Sequence, residues 1–198
     1  MSLNILMISV AVLKERTSIH DNIDEKLIYP EIKAAQDLYI HPICGTALYN
    51  KLLTDISNNA LSGNYKTLVD DYLIDTLCNY VVSELPTALN YQFWNKGVST
   101  KTSDNSQLPS MSDLFDIAAK YKNRAEAYQK KAIFYLKQNA PEMFPEYLNA
   151  GSGIDVILPD SVAYSSPIYL GGNGRGGRKK SYSEIYQGNV FRHCDDCE

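Results

Sequence analysis

The sequence predicts a mainly α-helical fold: a small helical bundle built on two long antiparallel helices, with an extended C-terminal arm. Apolar residues recur at spacings of three and four through residues 65–94, and again through residues 110–139. Polar loop signals precede both stretches. After Gly151 the composition changes to short apolar pieces and a glycine-rich run over residues 171–180. We therefore predict a helical domain over residues 1–150 and an arm with a Gly-rich basic segment over residues 151–198.

Shorter elements precede the long helices. Residues 9–16 predict a short helix or an extended lead-in. Asn22, with Glu25 three residues later, predicts a capped helix start in which Asn replaces the usual Ser or Thr. Pro30 predicts a break or kink near Tyr29, because proline removes a backbone donor and clashes with the preceding turn.

A turn is expected before the next short helix. His41-Pro42 predicts the end of the helix that starts at Glu31, and Gly45 allows the chain to turn. Thr46 is expected to cap a helix through Ile56, whose buried face comprises Leu48, Tyr49, Leu52 and Leu53.

The two long helices and their connection follow. Pro86 predicts a kink in the first, and the polar segment from Gly97 to Pro109 predicts a mobile loop. The second begins near Ser110 or Ser112 and closes at residues 139–141. One further short helix is expected over residues 142–149, and residues 154–158 and 166–170 are expected to be short strands or extended arms.

Length and charge exclude several classes of protein. The chain has 198 residues and a net charge of -4, which suits one domain with a real core and argues against a wholly basic nucleic-acid binder. Residues 1–100 contain 7 Lys/Arg and 11 Asp/Glu, whereas residues 101–198 contain 12 of each. This asymmetry suits head-to-tail contacts between subunits, and it is equally typical of ordinary surface charge.

No segment reaches the roughly 20 apolar residues of a membrane span. The apolar run from Leu3 to Leu13 lacks a basic leading region and a clear cleavage site. We therefore expect a cytoplasmic, unprocessed protein.

The glycine-rich run carries the main candidates for contact with a partner. Residues 172–177 satisfy G-x-G-x-x-G, but too little chain follows for the βαβ unit that a dinucleotide site needs. A flexible linker or hairpin tip is the structural alternative. The cations of this run, Arg175, Arg178, Lys179 and Lys180, can contact DNA or an acidic neighbour, or simply be solvated. Lys96 and Lys101, at the polar loop between the two long helices, are further contact candidates.

The helix over residues 110–139 is also rich in basic side chains. It carries Lys120, Lys122, Arg124, Lys130, Lys131 and Lys137. We expect this face to contact a neighbouring subunit or solvent rather than DNA, since lysine stems also cover apolar surface.

Candidate catalytic and metal-binding residues are few. His193, Cys194 and Cys197 have zinc-ligand residue types, but zinc needs a fourth ligand, and a reduced frayed tail is the alternative. Cys44 and Cys78 lie on apolar faces and are expected in the core. A Cys-His pair would need Cys44 to meet His20 or His41 in space.

Three aspartates on one predicted helix complete the set: Asp70, Asp71 and Asp75. They could suggest a divalent cation, but they lack the loop of alternating oxygen ligands that calcium uses, which favours a solvated helix face. We therefore assign no catalytic residue, no cofactor and no metal, and expect no enzyme.

One ordered pattern resembles a known family. Two helical pieces hinged near Gly45 carry Asp24 and Glu25, Pro30-x-Ile32, Ala35-Gln36, Pro42, Gly45 and Leu48-Tyr49, and two long helices follow. In order and spacing this pattern resembles phage head–tail connector (adaptor or ring) proteins, and it looks closest to ring proteins of crAss-like and other Bacteroidetes phages. The resemblance covers roughly residues 8–140.

This resemblance implies a structural role in the virion. Such connectors form a twelve-fold ring that docks on the portal protein and offers a platform to a tail component or a second ring protein, without catalysing a reaction. The implied location is the neck and tail region of the virion, with host cytoplasm during assembly. Non-specific contact with DNA in the channel is also possible for such a ring. The alternative is a helical binding or regulatory module that contacts nucleic acid through its basic C-terminal loop.

Overall fold

The computed structural model describes residues 5–95, 97–100, 110–149, 151 and 156–160. The chain divides into two compact units, residues 1–164 and 165–198, and every described residue belongs to the first. Among the described residues, no helix combines the length and the apolar character that crossing a membrane would require.

Two capped helices open the fold. Helix α1 spans Val10–Arg16, and the Ser9 side chain accepts a hydrogen bond from the Val12 amide. Helix α2 spans Glu25–Ala35, and its N-cap is Asp24, whose carboxylate accepts from the Lys26 amide at 3.0 Å. The predicted cap at Asn22 is therefore wrong, because Asp24 performs the capping two residues later.

The helix does not break at Pro30. Helix α2 continues through that proline into a π-helical segment, Gln36–Ile40, and then into α3, His41–Cys44. Ile28 and Ile32 on either side of Pro30 are fully buried. The predicted break is therefore wrong, because burial of this apolar face holds the helix across the missing backbone hydrogen bond. The kink that the sequence offered as the other outcome stays a prediction.

The turn at Gly45 is confirmed. Gly45 has φ 75° and ψ 160°, a conformation that favours glycine, and α4 follows over Thr46–Ser57. The four residues predicted to be buried in this helix are all buried: Leu48, Tyr49, Leu52 and Leu53.

The first long helix is shorter at its C-terminal end than predicted. It consists of α5, Gly63–Leu68, a second π-helical segment, Val69–Leu73, and α6, Ile74–Asn90, which contains Pro86. The predicted end at Trp94 is wrong, because the chain leaves the helix at Asn90 and forms a hairpin. Strand β1, Tyr91–Trp94, pairs antiparallel with β2, Gly97–Thr100, with Tyr91 opposite Thr100. The start of the predicted loop is therefore a strand, and its remainder, residues 101–109, lies outside the described residues.

The second long helix is longer than predicted. Helix α7 spans Met111–Met143, and its start is fixed by a reciprocal capping box between Ser110 and Asp113. It continues over Pro141, where the sequence predicted its end, because Ala140 and Phe144 on either side are both fully buried. The short helix predicted over residues 142–149 is α8, Pro145–Leu148.

The bundle packs α7 antiparallel to α6. The Tyr80 hydroxyl donates to the Gln129 side chain, and the rings of Tyr72 and Tyr135 stack with their centres 4.2 Å apart. The earlier tyrosine of the first helix thus meets the later residue of α7, which makes the two helices antiparallel. Helix α2 packs on α6 as well. This confirms the predicted mainly α class and the bundle built on long helices.

Candidate interaction surface

Helix α7 forms the frame of the candidate surface. Its 33 residues span about 50 Å at 1.5 Å per residue. Six of its seven buried residues lie in the stretch from Ala125 to Ala140. In the first 14 residues, 111–124, only Leu114 is buried. This stretch is about 20 Å long and mostly exposed, with Leu114 buried, the Tyr121 hydroxyl 2.9 Å from the Ser18 hydroxyl, and the Met111 sulfur in contact with the Tyr91 hydroxyl.

The start of α7 exposes apolar and acidic side chains together. Phe115 is 57% exposed and Met111 is 47% exposed. Asp116 is exposed next to Phe115, and Asp113 is exposed on nearly the opposite side of the helix. Hydrogen bonds from the Ser110 side chain and backbone hold the pKa of Asp113 below its ordinary value, so this carboxylate is charged at neutral pH. We call Met111, Phe115 and Asp116 the α7 knob.

A groove lies near the other end of the same helix. It has a volume of about 520 Å³ and is lined by Tyr72, Lys130, Lys131, Phe134, Tyr135 and Gln138, which we call the α7 groove. Phe134 is 69% exposed, and the ammonium group of Lys131 lies 5.7 Å from the centre of the Tyr128 ring. Burial raises the pKa of Tyr135, with smaller contributions from Tyr72 and Asp71, so its hydroxyl stays neutral.

A buried polar cluster ties the N-terminal segment to the bundle. The Gln36 side chain is fully buried; it accepts from the Met7 amide at 2.8 Å and donates to the Ile5 carbonyl at 3.0 Å. It also donates to the Tyr49 hydroxyl, which in turn donates to Asp37 at 2.6 Å. Sequence analysis missed this role of Gln36; the available signal was a glutamine within an apolar helical face.

A second segment is tied down at the Gly45 turn. The Ile157 carbonyl accepts from the Thr46 amide at 3.0 Å, and the Asp160 amide donates to the Pro42 carbonyl at 2.8 Å. The Thr46 hydroxyl also accepts from the Ile157 amide at 2.8 Å. We call residues 156–160 the strap. It is held chiefly by backbone hydrogen bonds, since the side chains of Ile157 and Leu158 are exposed.

The candidate nucleophile is enclosed in the core. Cys44 is fully buried, and burial raises the pKa of its thiol to about 12. Burial likewise raises the pKa of the Cys78 thiol to about 12. The Nε2 atom of His41 lies 3.1 Å from the Thr46 hydroxyl, and its ring stacks on Tyr49. At neutral pH both thiols are protonated, and the hydrogen-bond partner of His41 is Thr46 rather than Cys44.

The aspartates on the long helix do not assemble a metal site. Asp75 pairs with Arg16 at 2.8 Å, and the Asp70 backbone carbonyl accepts from the same guanidinium. Within the described ranges, no group of three or more His, Cys, Asp or Glu side chains is placed to hold a metal ion.

The contact candidates predicted from sequence lie outside the described residues. These are Lys96, Lys101, Arg175, Arg178, Lys179 and Lys180. The zinc candidates His193, Cys194 and Cys197 lie outside them as well.

Comparison with known proteins identifies one match. The model of a family of unknown function, DUF6712, matches residues 40–156, which is more than half of the chain. The matched region includes the Gly45 turn, both long helices of the bundle and the start of the strap. No curated protein and no solved structure matches the chain.

Proposed function

We propose that this chain, which belongs to the family of unknown function DUF6712, is a virion structural protein: a head–tail connector subunit that forms a ring between the portal and tail components. The proposed ring is twelve-fold, as in the connectors that the sequence resembles. One face would meet the portal and the other a tail protein or a second ring protein. The proposed location is the neck of the virion, after assembly in the host cytoplasm.

The observation that carries this proposal is the distribution of exposed side chains on α7. The helix exposes large apolar residues at two separate places: the knob near its start, and Phe134 on the outer face of the C-terminal half that packs in the bundle. Exposed apolar side chains rimmed by charges are typical of protein interfaces. Two different interaction surfaces on one subunit are what a closed ring of identical subunits needs, since each subunit must bind one neighbour on either side.

Charge supports the same assignment. From residue 117 to residue 138, α7 contains six Lys or Arg and one acidic residue, Glu126. The run from Val69 to Asn90 contains four acidic residues and no Lys or Arg. Subunits with separate acidic and basic regions attract one another when arranged head to tail.

The resemblance identified in the sequence coincides with structural features. Gly45 forms the turn between two helices, Gln36 forms the buried cluster with Tyr49, and Pro42 accepts a hydrogen bond from the strap. The residues that carry the resemblance therefore have structural roles in this fold. In a connector, such residues would keep the platform rigid while the exposed surfaces make the contacts.

The test is a mass measurement by light scattering on the purified chain, alone and mixed with the portal protein from the same phage. We expect a species of about twelve subunits in at least one of the two conditions. The matched control is a portal from an unrelated phage, which should not change the mass. A monomer or dimer that ignores its own portal would contradict the connector assignment.

A second candidate function rests on the same basic helix face. The cations between residues 117 and 138 could contact phosphate groups, which would make the chain a nucleic-acid-binding module. Retention on DNA that falls steeply with salt, in a chain that stays monomeric or dimeric with the portal, would favour this candidate over the connector.

A further inference from the structure

We propose that the α7 knob of one subunit binds in the α7 groove of a second copy of this chain. The inference rests on the proposed connector function and deepens it, because it names the contact between neighbouring subunits of the ring.

The groove is suited to an apolar side chain accompanied by negative charge. Aromatic rings from Tyr72, Phe134 and Tyr135 supply its apolar lining. Lys130 and Lys131 supply positive charge at its α7 side, and neither forms an ion pair with another described residue. An aromatic pocket beside two ammonium groups favours an aromatic or aliphatic side chain flanked by carboxylates.

The knob has this chemistry. Phe115 is the exposed aromatic side chain, and Asp116 follows it directly. Met111 lies on the same side of the helix as Phe115, one turn earlier, whereas Asp113 lies nearly opposite and is held in the capping box with Ser110. The knob therefore matches the groove in both apolar character and charge.

The knob and the groove of one subunit cannot reach each other. Phe115 and Phe134 are 19 residues apart on one continuous helix, which separates them by about 28 Å along its axis. The contact must therefore join two copies. When the knob and the groove of one subunit bind two different neighbours, the contact is head-to-tail, which is the type that generates rings when the rotation between neighbours closes. A reciprocal pair, in which each knob enters the groove of the same partner, would stop at a two-fold dimer and would overturn the ring contact.

The variants that test this contact avoid the residues that hold the helix together. Phe115→Ser with Asp116→Asn removes the aromatic ring and the charge of the knob and leaves the Ser110–Asp113 capping box intact. Lys130→Glu with Lys131→Glu reverses the charge of the groove. The matched control is Ile117→Ser, which replaces a residue 45% exposed on nearly the opposite side of the same helix turns.

The readout is mass by sedimentation and light scattering over a range of concentrations, in the full-length chain. We expect the knob variant and the groove variant each to need at least about tenfold more protein for the same mean mass, the loss typical of removing a central interface anchor. The Ile117→Ser control should assemble like the unmodified chain. Circular dichroism of each variant verifies that the bundle is folded.

Mixing the two defective variants gives the sharpest outcome. The knob variant retains a sound groove, and the groove variant retains a sound knob, so an equimolar mixture should form a one-to-one dimer and grow no further. A third variant tests the charges alone: Asp116→Lys combined with Lys130→Glu and Lys131→Glu should recover part of the assembly lost by the groove variant.

Several results would overturn the contact. These are assembly of the knob or groove variant like that of the unmodified chain, an unmodified chain that stays monomeric at every concentration with and without portal, or mixtures that grow beyond dimers. Loss of portal binding alone, with self-association retained, would assign the groove to a portal segment and overturn the proposal as well.

The connector function and this contact can fail separately. If the knob and groove variants still form a ring on the portal, the connector function is supported and the proposed contact is refuted. If the chain assembles head to tail through these residues but does not bind the portal, the contact is supported and the connector function is refuted.

Discussion

Replacing Gly45 by alanine should separate backbone strain from the loss of the strap. A Cβ atom at this position would lie 2.6 Å from Cγ and 2.7 Å from Cδ of Pro159, which no flexible end can relieve because both atoms belong to a ring. Gly45 also has φ 75° and ψ 160°, a region that costs other residues about 1–3 kcal/mol. The substitution must therefore both strain the turn and displace Pro159.

The magnitude follows from the contacts that the strap would lose. Moving Pro159 removes the two hydrogen bonds between Thr46 and Ile157 and the bond from the Asp160 amide to the Pro42 carbonyl. Each is worth about 0.5–1.5 kcal/mol. Together with the strain, we expect Gly45→Ala to lower the free energy of unfolding by about 2.5–7.5 kcal/mol.

Gly63 supplies the matched control. It also has a positive φ, 56°, but nothing lies within 4 Å of the position its Cβ would occupy. Gly63→Ala should therefore cost only about 1–2 kcal/mol of backbone strain. Urea denaturation followed by circular dichroism measures both values at 25 °C.

The double variant identifies the cause. Pro159→Ala removes the two closest ring atoms, so it should cost less in the Gly45→Ala background than in the unmodified chain, by at least about 0.5 kcal/mol. If Gly45→Ala and Gly63→Ala cost the same within about 0.5 kcal/mol, the strap contributes nothing to stability and the reasoning fails.

Three further predictions concern the core. Gln36→Leu should lower the free energy of unfolding by about 2–4 kcal/mol, because it leaves the Met7 amide and the Ile5 carbonyl without their hydrogen-bond partner. Gln129→Leu removes only the hydrogen bond with Tyr80 and should cost less than half of that in the same urea assay. Burial lowers the pKa of His41 below 6.5, so the unfolded chain binds more protons; stability should fall as the pH drops below about 6.5, and His41→Gln should flatten this slope. Ala132→Leu should overpack the α6–α7 contact by about 1–3 kcal/mol, whereas Ala127→Leu, at an exposed position, should shift the unfolding midpoint little.

Results opposite to these would be informative. Equal costs for the two glutamine variants would mean that the N-terminal segment finds water when Gln36 is lost. If stability depends on pH in His41→Gln as it does in the unmodified chain, a group other than His41 takes up the proton on unfolding. Equal midpoints for the two leucine variants would show that α6 and α7 have room between them.

Periodicity was sufficient to predict the bundle, and local chemistry predicted some of its boundaries. Ser110 begins α7 as expected, because a serine followed three residues later by an acid satisfies two backbone donors at once. The turn at Gly45 was predictable for a similar local reason. Pro30 and Pro141 misled the prediction, because burial of the flanking apolar residues outweighs one missing hydrogen bond in each helix.

The candidate surface was harder to predict. The sequence placed Phe115 and Phe134 on a helix, but periodicity alone does not say which turns of a long helix lack a covering partner. The groove depends on Tyr72 and Tyr135, which are distant in sequence and meet only because α6 and α7 pack antiparallel. The contacts of the strap with Pro42 and Thr46 are likewise between segments more than 100 residues apart, for which one sequence contains no local signal.

The hairpin and the helical bundle carry separate optical reporters. The single tryptophan of the chain, Trp94, belongs to β1, after the end of α6, whereas the stacked pairs Tyr39–Tyr80 and Tyr72–Tyr135 belong to the bundle. Tryptophan emission therefore follows the hairpin during unfolding, and tyrosine dichroism in the near ultraviolet follows the packed helices. Coincident transitions would mean that hairpin and bundle unfold as one cooperative unit, and an earlier tryptophan transition would mean that the hairpin opens while the bundle stays intact.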